Sequence, residues 1–223
     1  MENRETLNES KTSSFLDREN LLEFYKHNLP GLLRTVFTNP ISGVYELFAQ
    51  PLRISYQNTL LMMGSTVLLY VLAPILVIPS QFRSYLGISV YIKTGMVALI
   101  FMMVLSGISF GIKSISGRPS FKKELLTGAL SGIGLVLLLV TMLLIKILVG
   151  DIDAFELMNP TALVDRAGLM IVFVLYVFLF LVNVLQQSLK ASGTKDGLCW
   201  YISPLGIIFA FYVTAKIVKA LFM

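Results

Sequence analysis

The chain has 223 residues, of which 56% are hydrophobic and 14% charged, with a formal net charge of +5 and a mean hydropathy of +0.78. One soluble core of this length cannot hide so much apolar surface, so the balance excludes an ordinary water-soluble domain and points to a polytopic membrane protein. A single cysteine, Cys199, excludes a disulfide framework, and with His27 as the single histidine no metal cluster of the usual spacing can be drawn.

Residues 1–20 are polar, carry charges of both signs and contain no apolar core of a secretory signal; they are expected to fray. Residues 21–58 are amphipathic and interrupted by Pro30 and Pro40. Asn39-Pro40 reads as a helix start, with asparagine at the cap and proline in the first turn. Ile41, Val44, Tyr45 and Phe48 follow at helical spacing, which predicts one apolar face, and Pro51 ends the helix. The segment is too short and too polar to span. It is expected either to lie on the membrane surface or to pack as a small helix against the bundle.

Residues 59–223 hold five apolar runs: Thr59–Ile78, Ile88–Ile112, Leu125–Val149, Ala167–Leu189 and Leu198–Phe222. Each is long enough for the ~20 helical residues that cross ~30 Å of hydrocarbon. The sequence therefore predicts an all-α fold of five transmembrane helices behind an amphipathic cytoplasmic lead. The basic residues set the orientation. Arg34 and Arg53, then Lys113, Arg118, Lys122 and Lys123, then Lys190 and Lys195, all fall on the side of the N-terminus. The third link, on the other side, is acidic, with Asp151, Asp153, Glu156 and Asp165. The positive-inside rule then puts the N-terminus in the cytoplasm and the C-terminus outside.

The second link sits inside "SGISFGIKSISGRPSFKKELLTGALSG". Gly107 and Gly111 are four apart at the end of the second run, and Gly128 and Gly132 four apart at the start of the third. Small residues at that spacing let helix backbones approach closely, so the four glycines are expected to meet across a hairpin, with Gly95 outside the contact. A phosphate loop is excluded, since Gly117 is followed by Arg118-Pro119 and no strand precedes it. Lys113, Arg118, Lys122 and Lys123 are candidates for contact with anionic lipid, the alternative being that they only fix topology.

Several stretches together resemble the Yip family of membrane proteins: "NPISGVYELFAQP", then "GISFGIKSISGRPSFKKELLTGALSG", then "LKASGTKDGLCWYISPLG". The resemblance covers residues 36–220. It implies five helices behind a cytosolic region and a role in membrane organisation through partners, which in eukaryotic members are Rab-type GTPases. The family's Asp-Leu-x-Gly-Pro motif is replaced by "AQPLRISYQN", and there is no long proline- and glycine-rich cytosolic domain. Both departures count against a Rab-type GTPase and point to a prokaryotic-type member in a bacterial cytoplasmic membrane rather than an endomembrane.

Lys93, Lys146 and Lys216 fall near the outer ends of their spans. They are expected to snorkel, the competing reading being an outward anion site. Asn183, Gln186 and Gln187 are candidates for hydrogen bonds between helices, and Cys199 for acylation at a helix start. With no histidine and no carboxylate pair in a span, the residues offer no catalytic base. The expectation is a non-enzymatic adaptor or organiser with no cofactor or metal, in contact with the bilayer and a protein partner but no nucleic acid. The alternative is a transport component, either an accessory subunit of an export system or a small permease.

Overall fold

The computed structural model describes residues 18–50, 55–79, 83, 85–149 and 160–222. The described residues are helical throughout their length apart from short links, with no strand among them. The lead comprises α1 (Arg18–Glu23), a π turn (Phe24–Asn28), α2 (Leu29–Thr38) and α3 (Ser42–Ala49). The long helices are α4 (Tyr56–Val77), α5 (Ile88–Ser116), α6 (Phe121–Val149), α7 (Pro160–Ala191) and α8 (Asp196–Phe222). All five are long and apolar enough to cross a membrane, and the protein is a polytopic, five-span membrane protein.

Local chemistry sets the helix ends. Ser55 caps α4 by accepting a hydrogen bond from the Asn58 N–H at 3.1 Å. Helix α7 closes on Gly193, whose φ of +83° suits glycine. There the Thr194 N–H reaches the Leu189 carbonyl and the Gly193 N–H the Lys190 carbonyl, a Schellman closure. Lys190 then pairs with Asp196, the first residue of α8, at 3.3 Å. That carboxylate also sits well at the positive end of the helix dipole.

Helix α6 is the hub of the bundle, packed on α4, α5 and α7, while α8 lies against α5 and α7. Residues 124–135 of α6 are buried without a break. Only small residues permit so many neighbours at once. A Cβ on Gly128 would strike the Met102 carbonyl and Ser106 Oγ of α5. One on Gly132 would lie 2.7 Å from Thr66 Oγ1 of α4, and one on Gly134 2.7 Å from Leu181 of α7. Gly107 and Gly111 have no part in this. Both are exposed, with open space where a Cβ would stand. The inward stripe of α5 runs instead through Met102, Leu105, Ser106, Ser109 and Lys113 at three- and four-residue spacing, and the two glycines fall between its members. The link is also shorter than the basic turn suggests, with four residues, 117–120, between the helices. Gly95 too corrects the reading of the spacing: its missing side chain lets α5 approach Val67 and Val71 of α4.

The lead is folded onto this bundle, with Phe24, Val36 and Val44 at most 1% exposed. Pro30 does not interrupt it. Proline has no N–H to give, and the Leu29 N–H just before it reaches back five residues to the Phe24 carbonyl, so a π turn absorbs the mismatch. Asn39 ends α2 rather than starting α3, which begins at Ser42 without a side-chain cap. The inward face of α3 is Gly43, Val44 and Leu47, with Phe48 partly buried against the core; of the expected face Val44 and Phe48 turn in while Ile41 and Tyr45 are exposed. Two contacts fix the lead's direction. Tyr25 Oη meets Ser65 Oγ of α4 at 2.7 Å, and Asn183 Nδ2 of α7 donates to the Pro40 carbonyl at 2.6 Å. Ser65 and Asn183 lie at one level of the bundle, because Thr66 packs on Gly132 and Leu181 on Gly134. Residues 25 and 40 thus touch the bundle at the same height, and α3 then packs against α7.

Candidate functional site

Where the α5–α6 hairpin closes, α5, α6 and α7 bring five buried polar side chains together. Lys113 lies three residues before the end of α5, and Glu124 is the fourth residue of α6. Lys113 Nζ donates to Glu124 Oε2 at 2.7 Å and to Ser188 Oγ of α7 at 2.8 Å. Ser109 Oγ donates to the same carboxylate oxygen at 2.7 Å, and Thr127 Oγ1 and Ser188 Oγ are 2.8 Å apart. The two charged side chains are 9% and 6% exposed. Among the described residues, they are the only buried charges.

The physical logic follows from burial. Moving two ions out of water costs several kcal/mol each, which close contact offsets only when the remaining donors and acceptors are also matched. Here the carboxylate has an ammonium and a hydroxyl, and the ammonium has the carboxylate and a hydroxyl. Neither charge can leave the other without stranding it, at a cost of ~3–5 kcal/mol. The knot therefore fixes three helix ends in a single register.

Beside it opens a cavity of 710 Å³, bounded by α3, the start of α4, the α5–α6 link and the end of α7. Arg118, Lys122 and Lys123 line it, with Ser120 and Ser192, the knot's own Lys113, Glu124 and Ser188, and the apolar Phe48, Ala49 and Leu126. Lys122 Nζ lies 4.5 Å from the centroid of the Tyr56 ring. Lys113 Nζ lies 5.8 Å from that of Phe48.

Of the four basic residues singled out in the turn, the structure keeps Arg118, Lys122 and Lys123 exposed and together, and removes Lys113 to the ion pair. Sequence reasoning missed Glu124, Ser109, Thr127 and Ser188. A signal was available for Glu124, the only carboxylate between Glu46 and Asp151. The three hydroxyl residues carried no comparable mark.

The lysines of the opposite end do not converge in this way. Lys93 Nζ stands over the Phe222 ring at 5.4 Å, and Lys216 Nζ over the Tyr212 ring at 5.5 Å. Lys146 Nζ donates to the Val77 carbonyl at 3.2 Å, a cation at the negative end of α4. Asp151, Asp153 and Glu156 lie outside the described residues. Asn183 and Gln187 act as bridges: Gln187 Nε2 donates to Asn183 Oδ1 at 3.1 Å, and Asn183 holds the lead at Pro40. Cys199 is fully buried, with its Sγ 3.5 Å from the Thr194 carbonyl, so the thiol does not face an acyl donor. No family model matches this chain, and neither a curated protein nor a solved structure matches it significantly.

Proposed function

We propose that this protein is a non-enzymatic integral membrane adaptor or organiser of the Yip-like type, with the end that holds the Lys113–Glu124 knot facing the cytoplasm. One observation carries the reading. Both buried charges of the described residues sit together at one end and neutralise each other. The middle of the bundle is packed with Met102, Leu105, Leu130, Leu181 and Ile207, each fully buried. A conducting or transporting route needs ionisable or unwound elements near the centre of the spans. A rigid bundle with a polar end and a bracket of short helices suits a platform instead. The lead supplies a surface for a partner, with Glu23, Lys26 and Arg34 exposed on the side away from the buried Phe24, Leu32 and Val36.

The test has two arms. In proteoliposomes, the purified chain should pass ions and small solutes no faster than empty vesicles. Crosslinking in native membranes should recover a partner in fixed ratio, lost when Glu23, Lys26 and Arg34 are changed together. Substrate-dependent flux would replace this reading with a permease. Orientation is tested separately, and the buried Cys199 gives a quiet background. A cysteine at Lys195 should escape an impermeant thiol reagent in intact cells, and one at Asp153 should react.

A further inference from the structure

We propose that the cavity beside the knot binds the phosphate group of a glycerophosphate-type ligand, with an anionic phospholipid as its source. The cavity's 710 Å³ lies within the range of small-ligand sites, about 300–1,000 Å³. Its charge is unbalanced. Glu124 is already engaged by Lys113, and no carboxylate of the described residues pairs with Arg118, Lys122 or Lys123. Three cations at the mouth of a low-dielectric recess concentrate a positive field there. Their chemistry is that of phosphate recognition, with a planar guanidinium for two parallel hydrogen bonds and ammonium groups as point charges. The Tyr56 ring holds the Lys122 ammonium at the cavity wall, and the Ser120 and Ser192 hydroxyls line the same recess.

The remaining walls select for an amphiphile. Phe48, Ala49 and Leu126 add apolar surface to the lining, suited to glycerol and the first methylenes of acyl chains. The height agrees as well. Tyr56 is the first residue of α4, Lys122 the second of α6 and Ala191 the last of α7, so the cavity sits where spans end and headgroups begin. Lys113, Glu124 and Ser188 of the knot line the same cavity, and the ion pair there cancels Glu124, so the cavity is left without a competing anion. The inference stands apart from the adaptor reading, since a permease could carry the same site.

The experiment uses the full chain, delipidated in mild detergent. Native mass spectrometry counts bound lipid after addition of phosphatidylglycerol or phosphatidylcholine. Phosphatidylglycerol should be retained preferentially, and Arg118→Gln with Lys123→Gln should weaken its retention ~30-fold, about 1 kcal/mol per cation removed. Both side chains are exposed, so the double variant should fold as the parent does. Lys216→Gln, at the other end, should leave retention unchanged. If glycerol phosphate added alone displaces the lipid and loses its effect in the same variant, the site stands and its source is a soluble ester. Equal retention of both lipids, or an equal loss in Lys216→Gln, would overturn the proposal.

Discussion

Lys113 and Lys93 sit near opposite ends of the same helix, each a lysine inside an apolar run, yet the fold treats them in opposite ways. Lys113 is buried and held by Glu124 and Ser188, while Lys93 is exposed and rests over a phenylalanine ring. The lysine's own position near a span end does not decide between these fates. What decides is whether a neighbouring helix presents an anion at the same height. Helix α6 does so for Lys113 with Glu124. Among the described residues, the other end of α5 meets no such group.

The contrast is broken most forcefully at the buried pair. Lys113→Met or Glu124→Gln each strands a partner, and each should cost ~3–5 kcal/mol, read as a lowered unfolding midpoint in detergent. Next comes the glycine contrast. Gly128→Leu must push against the backbone of α5 and should cost ~1–3 kcal/mol, whereas Gly111→Leu enters open space and should lie within about 0.5 kcal/mol of the parent. Ser188→Ala removes a hydroxyl from the knot but leaves the ion pair, and should cost ~1 kcal/mol. The smallest effect is expected at Lys93→Arg. Arginine keeps the charge and the stacking on Phe222, so expression and melting should match the parent.

The spans were legible because hydropathy needs no partner: in four of the five helices both ends lie within four residues of the runs read from the sequence, and only α7 starts further out, at Pro160 rather than Ala167. The glycine pairs were half legible. Spacing of four places two glycines on one face of a helix but says nothing about which face turns inward. On α6 the pair looks in; on α5 it looks out. The inward stripe of α5 is set instead by Met102, Ser106, Ser109 and Lys113, and hydroxyl residues in a span carry no periodic apolar signal. Pro30 misled for a different reason, because a π turn lets a helix pass a proline that pattern reading takes as a stop. The knot was legible only in part. Glu124 stood alone in a long acid-free tract, but its pairing with Lys113 depends on the hairpin's register, which comes from the short link and the Gly128 contact.

Lys113 and Glu124 are expected to act as one unit, and a double-mutant cycle measures that directly. Lys113→Met, Glu124→Leu and their combination are compared by thermal unfolding of the full chain in the same detergent. A coupled, buried pair predicts that the combined variant recovers most of the loss shown by either single change, because no unpaired charge remains in the core. Losses that simply add would contradict it, and would mean that the two charges are separately solvated and do not hold α5 to α6.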